Sequence, residues 1–200
     1  AVITDDGLLL GARNKNVTYL TNTEGSVTAF VQEGALWTYT QNNGKFAQVF
    51  DFRKAAKGDF RDSHTEHDIK LLSVEDDGDV NFMVYGYMNR GNHEGYCGAG
   101  IYHYNHDQNV VEEKVFIPTT ESFEFLKSDL GTLSYVNKKN QLFLLLSGSL
   151  YQINIDDSEY KVLAENIDSN QFAVSETNAH AAWRITDGDQ AEQQRLHQYV

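Results

Sequence analysis

One tetrapeptide pattern recurs four times along the chain and limits what it can fold into. Residues 36–39 read LWTY, 101–104 IYHY, 150–153 LYQI and 196–199 LHQY. Each is an apolar residue, an aromatic or His, a variable position, then Tyr or Ile. The four starts lie 65, 49 and 46 residues apart. Upstream of each sit two short apolar stretches around a polar turn: 17–31, 69–88, 133–147 and 171–185. Downstream of the first three comes a further strand-like stretch: FAQVF at 46–50, VVEEKVF at 110–116 and YKVLAE at 160–165. The turns before these and within the second unit (Asn42-Asn43-Gly44, Asp156-Asp157-Ser158 and Asp76-Asp77-Gly78) are rich in residues that accept positive φ or bond locally to the backbone.

Self-similarity at this period, with four strand-like pieces per repeat, predicts a β-propeller of about four four-stranded antiparallel blades. Such a chain is either a complete small propeller or part of a larger one. A β-sandwich is the alternative, since its strands need no such period. The units run approximately over 14–52, 69–117, 132–166 and 171–200 of a single 200-residue domain. The fourth stops after its third strand, and GLLLGAR at 7–13 is the candidate closing strand. Helical patterning is confined to 119–130 and, more weakly, 187–195, both in connections.

Charge and composition narrow the function classes. Sixteen basic residues face 29 acidic ones, a net charge of −13, which repels phosphate backbones and anionic lipid headgroups and argues against a nucleic-acid partner. The longest apolar run, Leu142 to Leu146, is a buried-strand signal too short to insert in a membrane as a helix. The lone Cys97 excludes an internal disulfide framework and a Cys-rich zinc module. The start at Ala1, with neither Met nor a signal sequence, is read as that of a trimmed chain.

In a propeller blade, the connection between the second and third strands opens on the same face as the blade-to-blade crossover. The long segments 53–68, 89–100, 118–131 and 186–195 all fall in such positions, so they are expected to decorate one face. Binding sites are usually built on loops held by a rigid scaffold. Two of these loops concentrate chemistry. Arg61, Asp62, His64 and His67 lie in the first, and Arg90, His93 and Glu94 in the second. These seven are the candidate ligand-binding residues. The histidines with Asp62 or Glu94 suit a zinc-like ion, but the spacing specifies no ligand geometry, and no metal or other cofactor is assigned. Asp62 and Glu94 could form an acid–base pair, and Cys97 could pair with His93. Neither makes a specific motif, so no catalytic residue is assigned. The acidic turn Glu75–Asp79 reads as a solvated hairpin turn. Trp37, Tyr102, Tyr151 and Trp183 read as packing between sheets.

Phosphate-binding glycine loops, nucleophile elbows and zinc-helix motifs are absent from the sequence. With VNFMVYGYMNRGNHEGYCGAGIYHY at 80–104 and LSYVNKKNQLFLLLSGSLYQIN at 133–154, the chain resembles the propeller region of uncharacterised surface lipoproteins of clostridia and related Gram-positive bacteria. That resemblance implies an exported parent protein, anchored at the cell surface through a part outside this sequence. The expected function is non-enzymatic binding of a protein, peptide or glycan by loops on one propeller face. The competing reading is a carbohydrate-active hydrolase or lyase using carboxylates and histidines of the same face.

Overall fold

The computed structural model describes residues 2–3, 9–10, 18–51, 67–90, 93–119, 134–136, 140–174, 181–185 and 195–199. Everything regular in it is β, apart from one short 3-10 turn at Gln41–Asn43. The chain divides into two units, Ala1–Pro118 and Thr119–Val200.

In the first unit, β1 (Val2–Ile3) and β2 (Leu9–Leu10) pair as a small ribbon, with Val2 opposite Leu10. Of the segment 7–13, Leu9 and Leu10 are the described residues, and this local ribbon is where they pair. Sheet I follows as β3 (Tyr19–Thr21), β4 (Val27–Gln32), β5 (Ala35–Thr40) and β6 (Lys45–Asp51), paired in chain order. Sheet II repeats that order with β7 (His67–Val74), β8 (Val80–Arg90), β9 (His93–Asn105) and β10 (Val110–Thr119). In the second unit, sheet III contains β11 (Ser134–Val136), β12 (Gln141–Leu146), β13 (Ser149–Asn154) and β14 (Glu159–Ala164). Sheet IV has three strands among the described residues: β15 (Ile167–Val174), β16 (Ala181–Ile185) and β17 (Arg195–Tyr199).

The repeated tetrapeptide therefore occupies the third strand of every sheet. Its backbone repeats too. In sheets I and III the pairing of third with fourth strand slips after the first tetrapeptide residue, between Leu36 and Trp37 and between Leu150 and Tyr151. Val49 and Leu163 are the extra residues of these two bulges. A bulge here adds local twist to the outer strand.

The connections between second and third strands correct one expectation. Segment 89–100, read as a loop from its polar composition, is the far end of a long β8–β9 hairpin, with Met88 opposite Tyr96 and Arg90 opposite His93. Pairing between the two strands satisfies the backbone there, so polar side chains at both faces do not prevent strand formation. Only Gly91 and Asn92 separate them, and they lie outside the described residues. The matching connections in sheets I and III are Glu33-Gly34 and Ser147-Gly148, in which all four residues have positive φ (52°, 73°, 51° and 73°). Positive φ at both central positions is the two-residue turn whose twist matches that of its strands. The long segments 53–66 and 186–194, and the helical patterns at 120–130 and 187–194, lie outside the described residues.

Sheets I and II pack face to face. Ala29, Leu36 and Phe50 from sheet I meet Ile69, Leu71, Val80, Phe82, Val84, Tyr102 and Tyr104 from sheet II. The Phe50 ring lies 5.3 Å from Phe82 and 5.5 Å from Tyr102, and the latter two stack at 18°. Tyr102 thus packs between sheets as its pattern predicts. Tyr151 differs, since its ring pairs with Tyr160 on the neighbouring strand of its own sheet at 5.9 Å. The side chain of Trp183 lies outside the described residues. In sheet III, Leu142 to Leu146 are consecutively buried, which means both faces of β12 are covered.

Candidate functional site

The third position of the tetrapeptide varies, and it carries a polar residue in each sheet: Thr38, His103, Gln152 and Gln198. Alternation along a strand places it on the face opposite the flanking aromatic. In sheets II and III this position organises the described polar chemistry, in two different ways.

In sheet II, His103 stands directly opposite Asn81, which is 1% exposed. The Asn81 amide donates to Ser73 Oγ at 3.1 Å and to Glu75 Oε1 at 3.2 Å. Ser73 Oγ also donates to Glu75 Oε1, at 2.7 Å. With both amide hydrogens committed, Asn81 Oδ1 can only accept, and it does so from His103 Nδ1 at 2.9 Å. The other ring nitrogen, Nε2, lies 3.1 Å from Asp79 Oδ2.

Asp79 does more than hold His103. Its carboxylate accepts from the His106 backbone N–H at 2.7 Å and from Asn105 Nδ2 at 3.2 Å, while its carbonyl accepts from Glu75 N at 2.8 Å. One residue therefore fastens the β7–β8 turn to the β9–β10 turn. Gly78 is required beside it. Its φ is +94°, and a Cβ there would come within 2.5 Å of His106 Cδ2. The reading of Glu75–Asp79 as a solvated turn holds for the exposed Asp76 and Asp77 and is corrected at its ends: Glu75 and Asp79 are half-buried, and Asp79 is bonded to residues far along the chain. On the same face, Tyr85 Oη donates to Asp68 Oδ2 at 3.0 Å. Burial, then the Asp68 charge, then this hydrogen bond push the Tyr85 phenol well above its ordinary value. Burial also lowers the Lys70 ammonium.

In sheet III the residue opposite the variable position is Phe143, which offers nothing to Gln152. Gln152 Nε2 reaches diagonally to Gln141 Oε1 at 3.2 Å. Gln152 Oε1 is left buried without a partner, and so is Asn154 Oδ1. Exchanging the two ends of both glutamine amides only moves the orphaned atom from Oε1 to Nε2. The Asn154 case is fixed by chemistry, because its Nδ2 donates to the acceptor-only Asp157 carboxylate. Gln141, Gln152 and Asn154, with Glu159, Tyr160 and Lys161, line a cavity of about 240 Å³.

Of the residues singled out from sequence, Arg61, Asp62 and His64 lie outside the described residues. His67 opens β7 opposite Gly86. Arg90 and His93 are cross-strand partners at the tip of the β8–β9 hairpin, and Glu94 follows in β9. The hairpin runs four residues past the His67–Gly86 pair, so its tip sits roughly 13 Å further along the strands at ~3.3 Å per residue. Arg90 and His93 are register partners, Glu94 takes the next position on the opposite face of β9, and His67 is set well below them. Among the described residues no group of three His, Cys, Asp or Glu side chains is placed to hold a metal ion. The polar row of sheet II and the cavity of sheet III escaped sequence reasoning. The available signal was a polar residue recurring inside an otherwise apolar and aromatic tetrapeptide.

Comparison with known proteins defines the class. The chain is similar in fold to dipeptidyl peptidase 4 from Porphyromonas gingivalis, with a TM-score of 0.56 at 10% identity. The match covers 91% of this chain and 30% of the peptidase, so the chain spans under a third of that protein. A fainter likeness, TM-score 0.44 at 10% identity, is to an oligogalacturonate lyase from Vibrio parahaemolyticus, over 80% of this chain and 42% of that one. No protein-family model matches the sequence, and no curated protein matches it. The class is a β-propeller-like, all-β fold made of successive antiparallel meanders.

Proposed function

We propose that the four sheets are consecutive blades of a β-propeller and that the chain is a non-enzymatic recognition module. In this reading it belongs to an exported protein held at the bacterial cell surface through a part of the parent outside this sequence. It binds a protein, peptide or glycan at the end of the sheets where the β8–β9 hairpin projects. The observation carrying the proposal is that projection: two strands of 11 and 13 residues continue beyond the neighbouring β7, with Arg90 and His93 as register partners at the tip and Glu94 next along β9. A paired hairpin holds such residues with less conformational freedom than a loop does, which lowers the entropic cost of recognition.

The test is binding of the chain to arrayed cell-wall glycan fragments and envelope-protein peptides, with the triple variant Arg90→Ala, His93→Ala and Glu94→Ala alongside. The expected result is a bound component whose affinity falls at least roughly tenfold in the triple variant, at an unchanged melting temperature. Equal binding by the variant and the parent overturns the assignment to the hairpin tip.

A further inference from the structure

We infer that the cavity on sheet III is a binding site for a neutral sugar ring, held through its hydroxyl groups and separate from the hairpin tip of sheet II. The starting point is an imbalance. Gln152 is 7% exposed, yet its side-chain amide has one hydrogen bond and one orphaned atom. Two residues along the same strand, on the same face, Asn154 Oδ1 is orphaned as well. A buried polar atom left unpaired carries its full desolvation penalty, so native chains seldom keep two side by side. Here both belong to side chains lining a single cavity; each orphaned atom is itself closed to solvent, so a ligand in the cavity pairs with it by turning the side-chain amide outward.

The lining selects the ligand. Asn154 Oδ1 needs a donor. The free end of the Gln152 amide needs a donor or an acceptor according to which way it faces. A hydroxyl supplies either, and a sugar ring presents several at fixed spacing. Charge points the same way. Glu159 and Lys161 alternate on β14 across from Asn154 and Gln152. An anion entering the cavity meets Glu159, with Asp156 and Asp157 in the adjoining turn, and a cation meets Lys161. A neutral ligand meets a hydrogen-bonding partner in each. The volume, about 240 Å³, falls just below the roughly 300–1,000 Å³ typical of sites for drug-sized ligands, which matches one ring rather than a long chain.

The experiment follows the side-chain amide NMR signals of Gln141, Gln152 and Asn154 in the full chain. The probes are the methyl glycosides of glucose, galactose, mannose and N-acetylglucosamine, each at millimolar concentration, with triglycine amide as the peptide control. At least one glycoside is expected to shift the Gln152 and Asn154 signals saturably while the peptide does not. Gln152→Met, similar in shape but without the amide, is expected to weaken that glycoside roughly tenfold, and Asn154→Leu to do the same. The hairpin-tip triple variant is expected to bind the glycoside as the parent does, so this site and the tip stand or fall independently. Silence with all four glycosides, equal shifts with the peptide, or undiminished binding in whichever of the two cavity variants folds would overturn the proposal.

Discussion

Sheets II and III are two versions of one repeat, and they treat the same position in opposite ways. In sheet II the polar residue at the third tetrapeptide position, His103, faces Asn81, and the row from Ser73 and Glu75 through Asn81 and His103 to Asp79 is closed by hydrogen bonds. In sheet III the equivalent Gln152 faces Phe143 and keeps an orphaned atom beside a cavity. A closed row of this kind specifies packing, because any displacement breaks several bonds together. An incomplete row leaves hydrogen-bonding capacity for something else. The repeat thus supplies an internal control: similar strands and the same register position, once sealed and once open.

Substitutions can break or sharpen that contrast. The largest effect is expected for Asn81→Leu, which removes one hydrogen-bond partner from each of His103, Ser73 and Glu75 at a buried position. Chemical denaturation should show a loss of about 3 kcal/mol. Tyr85→Phe removes a partly buried bond to the Asp68 carboxylate and should cost about 1.5 kcal/mol near neutral pH. The same variant tests a pH dependence. The folded chain holds the Tyr85 proton more tightly than the unfolded chain, so this contribution is intact below about pH 10 and declines as pH rises past it. The denaturation midpoint of Tyr85→Phe should therefore fall less steeply above about pH 10 than that of the parent. Burial pushes Tyr104 and Tyr151 in the same direction, and their share of the alkaline loss persists in the variant. His103→Gln copies the sheet III residue into sheet II. It removes the link to Asp79 at a partly exposed position and should cost about 1 kcal/mol. Gln152→Met is the smallest: removing an amide that has one hydrogen bond and one orphaned atom, while keeping the volume, should leave stability within about 0.5 kcal/mol of the parent or raise it. A loss there as large as that of Asn81→Leu would erase the difference between the two sheets.

The sequence was most legible where structure follows from local chemistry. The tetrapeptides fall in third strands, and Asn42-Asn43-Gly44, Asp76-Asp77-Gly78 and Asp156-Asp157-Ser158 fall at the hairpin turns between β5 and β6, β7 and β8, and β13 and β14. Segment 89–100 was misread because NRGNHEGYCG has loop-like composition, while its strand character comes from cross-strand pairing that composition does not encode. Glu75 and Asp79 were read as solvated because their partners, Asn81 for Glu75 and His103, Asn105 and His106 for Asp79, lie between 6 and 27 residues away along the chain and meet them through the sheet register. The cavity was hidden for a related reason. Gln141, Gln152 and Lys161 sit on three different strands, and Phe143 opposite Gln152 is what leaves the amide incomplete.

The double grip of Asp79 has a consequence for how sheet II breathes. The two hairpin ends share one carboxylate-bearing residue, so neither can fray without releasing the other. Amide deuteration at Glu75 and His106 should proceed at a common, slow rate, whereas Ser158 N–H in sheet III, whose acceptor Ile155 O lies in the same turn, should exchange ahead of both.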